Sequence, residues 1–187
     1  LLNGAALTLP DGAGVVLAGK IVKTPLRQKV AGVDFAQNLL EVLEQEGYRL
    51  YLLGGKPGIG ELAAQKMLEK HPKLEICGIA DGYFQDEADA MAAVSAAKAD
   101  VLFVCLGSPK QELFMRAHCG EGGVTLMVGL GGTLDSIAGT VRRAPKWMIC
   151  LQLEWLYRLI KEPRRFKRML RLPKYVFAAL HSRRKER

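Results

Sequence analysis

Leu50-Tyr51-Leu52-Leu53-Gly54-Gly55-Lys56-Pro57-Gly58 is the stretch whose reading decides the fold of this chain. Residues 50–53 form an apolar run of strand length, the glycines end it, and the amphipathic stretch 59–70 resumes at helical spacing. The same unit recurs. Residues 74–79, 101–106 and 124–128 are short apolar runs, most of them ending in glycine, and 33–45, 86–98 and 111–118 are amphipathic helical stretches. Apolar strands alternating with helices imply a parallel sheet covered on both faces. Residues 5–9, leading into Pro10-Asp11-Gly12, read as one more strand leaving the sheet at a turn. Beyond Gly132 the strand pattern stops, and 147–161 and 163–171 read as two helices punctuated by Pro163 and Pro173. The expected fold class is therefore α/β, a Rossmann-like parallel sheet flanked by helices over 1–144. A basic, amphipathic, helical C-terminal appendage follows over 145–187.

A chain of 187 residues suffices for one α/β domain with a sizeable core. It opens at Leu1, without methionine and already in an apolar stretch, so an N-terminal piece is expected to precede it. The four cysteines are far apart and form no C-x-x-C pair, which favours reduced thiols in a cytosolic core. Three scattered histidines offer no metal-ligand cluster. No apolar run approaches the ~20 residues needed to span a bilayer. The net charge of +8 conceals an asymmetry: residues 1–141 carry 12 Lys/Arg against 16 Asp/Glu, and residues 142–187 carry 15 against 3. A tail so basic calls for an anionic partner, whether nucleic acid, anionic lipid or a diphosphate.

In an open parallel sheet, ligands bind beyond the carboxyl ends of the strands. The glycine-rich segments fall there: Gly54-Gly55-Lys56-Pro57-Gly58, Asp81-Gly82-Tyr83-Phe84, Gly107-Ser108-Pro109-Lys110-Gln111-Glu112 and Gly129-Leu130-Gly131-Gly132-Thr133-Leu134-Asp135. Glycine lets backbone N–H groups approach a diphosphate closely, so Gly54, Gly55, Gly107, Gly131 and Gly132 are candidate nucleotide-binding positions. A dinucleotide fingerprint would need glycine at 134, which is leucine, and no P-loop pattern is present; both count against a dehydrogenase or a P-loop NTPase. Asp11 projects at the ligand edge. It is either the Asx residue of a Pro-Asp-Gly turn or a base that takes a proton from an acceptor hydroxyl. There is no D-x-D motif to hold a metal, so the charge on a leaving diphosphate falls to cationic side chains. In the tail Arg164, Arg168 and Arg171 share a face, Arg165 adjoins Arg168, and Arg158 precedes them. Trp147, Leu151, Trp155 and Phe166 are interleaved with these cations, as in an interfacial membrane helix; packing onto the core, or a homo-oligomer, would also cover that apolar face.

These residues resemble the WecG/TagA/CpsF glycosyltransferases, which include N-acetylmannosaminyltransferases of wall teichoic acid synthesis. The likeness runs through Pro10-Asp11-Gly12, Val30-Ala31-Gly32-Val33-Asp34, Leu52-Leu53-Gly54-Gly55-Lys56-Pro57-Gly58, Gly82-Tyr83-Phe84 and Gly107-Ser108-Pro109-Lys110-Gln111-Glu112. It continues through Gly129 to Asp135, Arg142-Arg143-Ala144-Pro145-Lys146-Trp147 and Glu154-Trp155-Leu156-Tyr157-Arg158. The resemblance implies that Asp11 is the catalytic base, Gln111 a site glutamine, and Gly131, Gly132 and Asp135 part of the uridine-nucleotide site. It implies that Arg158, Arg165 and Arg168 reach the diphosphates, and that family strands lie ahead of Leu1. Lys29, the implied phosphate or sugar contact, stands where the family usually has arginine, which keeps the charge but not the bidentate geometry. The implied reaction is inverting and needs no metal or other cofactor. It moves N-acetylmannosamine or a related sugar from a UDP-sugar donor to undecaprenyl-diphosphate-linked GlcNAc, at the inner face of the cell membrane. A nucleic-acid-binding protein using the basic tail, or a non-catalytic nucleotide-binding module, is the alternative.

Overall fold

A computed structural model describes residues 4–24, 26–151, 153–161 and 181 of the chain. The described residues group into two compact units, one formed by 4–6 with Gly32–Arg142, the other by Leu7–Ala31 with the described residues from Arg143 onward. Residues 7–31 thus group with the C-terminal segment.

The first unit is the α/β body. In chain order it contains α2 (Gly32–Glu46), β1 (Arg49–Gly54), α3 (Ile59–Lys70), β2 (Glu75–Ala80), α4 (Glu87–Ala96), β3 (Val101–Cys105), α5 (Lys110–Ala117), β4 (Leu126–Gly129) and α6 (Thr133–Ile137). The strands pair in parallel in the order β2-β1-β3-β4, with Leu50 opposite Val101 and Val101 opposite Leu126. Period-two alternation gives the sheet two apolar faces. Leu50, Leu52, Val101, Phe103 and Cys105 pack with Ala36, Leu40 and Leu43 of α2 and with Ala63, Ala64 and Met67 of α3. Tyr51, Leu53, Leu102 and Val104 face the other way, onto Ala90, Met91 and Val94 of α4 and Phe114 of α5. Every residue of β3 is buried, as expected of a strand covered on both sides.

The register between β1 and β2 slips at Leu50/Tyr51, where Cys77 is the extra residue and its thiol donates to the Leu50 carbonyl at 3.4 Å. Beyond the slip Tyr51 faces Gly78, where a Cβ would stand 2.3 Å from the tyrosine ring. Helix α4 has a side-chain cap: Asp86 Oδ1 accepts from the Ala88 N–H at 2.8 Å.

The second unit contains α1 (Ala13–Ile21), α7 (Lys146–Cys150) and α8 (Glu154–Lys161). Three features differ from the sequence reading. Residues 5–9 are not a strand; they are bends and chain outside any strand, largely exposed, so little burial rewards a place in the sheet. Helix α1 replaces them as the first element, its period hidden by Gly14, Gly19 and β-branched valines of low helix propensity. The helix expected over 147–161 is two helices. The Leu151 N–H closes α7 onto the Trp147 carbonyl, and α8 restarts with the Tyr157 N–H on the Leu153 carbonyl. The expected helix over 163–171 lies outside the described residues. Among the described residues, no helix is long and apolar enough to cross a membrane.

Candidate functional site

Strand order 2-1-3-4 sends the chain in opposite directions from β1 and β3, so the loops after these two strands part at a topological switch point. A cleft of about 250 Å³ opens there, lined by Gly55, Lys56, Gly82, Tyr83, Cys105, Leu106 and Asp135. It draws on the ends of β1, β2 and β3 and on α6. Its volume is just below the ~300–1,000 Å³ usual for small-molecule sites, enough for one part of a nucleotide-sugar.

The rim is tied together by hydrogen bonds between loops. The Gly55 N–H donates to the Cys105 carbonyl at 3.2 Å, and the Gly82 N–H donates to the Gly55 carbonyl at 2.9 Å. Lys110 Nζ reaches the Gly82 carbonyl at 3.2 Å while lying 4.0 Å from the centre of the Phe84 ring. On the other side the Leu130 N–H donates to the Val104 carbonyl at 2.9 Å. Gly54 pairs with Cys105 at the end of the β1–β3 ladder. Its φ is +127°, and a Cβ there would lie 2.4 Å from the Cys105 carbonyl oxygen.

Gln111 is buried, and its Oε1 accepts from the Gly131 N–H at 2.9 Å while its Nε2 donates to Glu112 Oε1 at 3.1 Å. The expected site glutamine therefore holds the Gly131 loop. The Gln111 N–H in turn donates to the Gly107 carbonyl at 3.0 Å. Gly107 has φ +76° and follows the β3 turn that leads to the cis Ser108–Pro109 bond. Gly132 is the N-cap residue of α6, and its Cβ direction points toward Asp135. Asp135 carries its carboxylate to the cleft, while its main-chain carbonyl accepts from Thr140 Oγ1 at 3.0 Å and from the Val141 N–H at 3.2 Å. Cys105 forms part of the wall. Burial pushes its thiol up to about 12, the Leu134 N–H opposes that rise, and the Asp135 charge adds to it. It is a neutral, apolar surface at physiological pH, not a nucleophile.

In the second unit Asp11 is exposed and follows Pro10, whose carbonyl accepts from the Val30 N–H at 2.9 Å. Lys29 Nζ stands 2.7 Å from Glu154 Oε2 at the start of α8, and Arg143 Nε stands 3.7 Å from the other oxygen. Arg158 lies in α8. Arg165 and Arg168 lie outside the described residues. The structure thus brings Gly55 and Asp135 to one cleft, with Gln111 holding the adjoining Gly131, and places Asp11 and Lys29 in one unit with α8.

Sequence reasoning missed Lys56, Tyr83 and Cys105 as cleft residues and Glu154 as the partner of Lys29. Lys56 and Tyr83 lie in two of the glycine-rich segments already singled out, and their position there was the available signal. Together the cleft offers an exposed cation, an aromatic face and a carboxylate. That lining suits a ligand with negative charge, a flat ring and hydroxyls. Among the described residues, no group of three His, Cys, Asp or Glu side chains is placed to hold a metal ion.

Fold and cleft define the class: an open, parallel α/β protein with its ligand site at the switch point. The chain belongs to the glycosyl transferase WecG/TagA/CpsF family, whose family model matches residues 1–187. It is 38% identical over 180 residues to the N-acetylglucosaminyldiphosphoundecaprenol N-acetyl-beta-D-mannosaminyltransferase of Bacillus subtilis (strain 168), an alignment spanning 96% of this chain and 70% of the relative. The protein of the same name from Bacillus spizizenii is 37% identical over the same shares. The chain is accordingly a glycosyltransferase, and nothing supports the nucleic-acid-binding or non-catalytic alternatives.

Proposed function

We propose that this enzyme transfers N-acetylmannosamine from UDP-N-acetylmannosamine to undecaprenyl-diphosphate-linked GlcNAc, with inversion and without a metal. The observation that carries the reading is the 38% identity, across almost the whole chain, to a relative named for that transfer. The cleft supports it chemically. Asp135 can accept from ribose hydroxyls, Tyr83 offers a face for the base, and Lys56 offers charge to the diphosphate. Asp11 takes the proton from the acceptor hydroxyl as the sugar–diphosphate bond breaks. The arginines at 158, 165 and 168 supply cationic charge around the diphosphates.

Attachment to the inner face of the membrane follows from the acceptor's lipid. It is supported by Trp147, Leu151 and Trp155, which are 61%, 63% and 42% exposed within the basic segment. A homo-oligomer would offer the same apolar groups cover away from lipid. The deciding experiment incubates the protein with synthetic lipid-linked GlcNAc and a panel of UDP-sugars, with and without EDTA. Transfer from UDP-N-acetylmannosamine alone, undiminished by EDTA, is expected. Transfer of another sugar, or loss of turnover restored by a divalent cation, would overturn that part of the reading.

A further inference from the structure

We propose that Glu154 is a positioning residue, which couples the loop of Asp11 to the first turn of α8 by clamping Lys29. This rests on the transferase reading, in which Asp11 is the base. At 2.7 Å the contact between Lys29 Nζ and Glu154 Oε2 is a charge-assisted hydrogen bond. The two side chains are only 19% and 9% exposed, so salt and water screen the pair little. Arg143 Nε lies 3.7 Å from Oε1, within ion-pair range but beyond hydrogen-bond distance, and adds a second positive charge beside the carboxylate.

The connections out of this cluster are short. The residue after Lys29, Val30, donates its N–H at 2.9 Å to the carbonyl of Pro10, the residue before Asp11. Four residues after Glu154, one turn along α8, comes Arg158. The path Arg158–Glu154–Lys29–Val30–Pro10–Asp11 therefore runs through one ion pair, one backbone hydrogen bond and otherwise covalent chain. Lys29 acts along this path, as a strut between α8 and the Asp11 turn.

The test compares Glu154→Gln, Lys29→Met, the double variant and Lys29→Arg in the full chain. Each single variant should lower kcat on the order of 10–100-fold, as small misplacements of a reacting group do, while the dissociation constant for UDP stays within about twofold. The double variant should be no worse than the poorer single one, because both remove the same link. Lys29→Arg should recover most of the activity that Lys29→Met loses. Hydrogen exchange in peptides from residues 7–31 should quicken in Glu154→Gln, with those from 101–137 unchanged. Additive losses, a fall in UDP affinity parallel to kcat, or unchanged exchange at 7–31 would each overturn the proposal. If the wild-type chain transfers no sugar, the transferase reading fails, and the exchange data alone decide whether the clamp exists. If Glu154→Gln does not fold, Lys29→Met and Lys29→Arg carry the same comparison.

Discussion

Replacing Gln111 with leucine tests whether the glutamine holds the nucleotide loop. The side chain keeps nearly its volume but loses the oxygen that accepts from the Gly131 N–H at 2.9 Å. Gln111 is 8% exposed, so water has poor access to the vacated N–H. An unsatisfied buried donor costs about 1–3 kcal/mol. For a chain of this length each kcal/mol lowers Tm by about 2–4 °C, giving a fall of about 2–12 °C. If the loop bearing Asp135 must be re-ordered when UDP binds, the same energy reappears as a loss of affinity of about 5- to 150-fold. Thermal melts with and without UDP, and calorimetric titration of UDP, measure both effects. Gln111→Glu serves as the companion variant. Its carboxylate still accepts from Gly131 but faces the Glu112 oxygen now 3.1 Å from Nε2. Like charges at that distance predict a second loss of stability, relieved at low pH as one carboxylate protonates. If Gln111→Leu melts and binds UDP as the wild type does, the bond to Gly131 does not hold the site and the argument fails.

Asp11→Asn should bind UDP within about twofold of wild type while turnover falls about 10²- to 10⁴-fold, the range for a lost general base; unimpaired turnover would remove Asp11 from that role. Gly54→Ala should cost more than about 3 kcal/mol or prevent folding, since φ is +127° and the new methyl meets the Cys105 carbonyl at 2.4 Å. A Tm within a few degrees of wild type would contradict it. Iodoacetamide at pH 8 should label exposed Cys119 and spare Cys105, as mass spectrometry of peptides can show. Because burial raises the Cys105 thiol from 9.0 to about 12, its protonated form favours the fold. That contribution is complete below pH 9 and should drain away between about pH 9 and 12, which a series of alkaline melts would register.

The sheet was legible because its signal is local and repeated. Each of the runs at 50–53, 74–79, 101–106 and 124–128 overlaps a strand to within two residues at either end. Their helices followed from apolar spacing, as in 59–70, which matches α3. Helix α1 was not legible. Its two glycines and four consecutive apolar residues after Gly14 mask the period, and its stability comes from packing that propensity does not record. Loop chemistry was half legible. Glycines mark where the strands end, so the cleft's location followed, but which side chains line it depends on how loops far apart in sequence bond to one another, as Lys110 does with Gly82, 28 residues away. The pairing of Lys29 with Glu154 spans 125 residues of chain and has no local signature at all.

Lys110 opens α5 directly after the β3 turn, yet its side chain serves the turn after β2, where it props the Gly82 carbonyl and caps Phe84. The two turns therefore constitute one structural unit. A graft of the 81–84 segment from a relative with different donor preference would arrive without its prop unless residue 110 travelled with it. If the cleft selects the donor sugar as proposed, that selectivity should transfer only in paired exchanges of 81–84 with residue 110, and single-loop libraries should return mostly weakened versions of the parent.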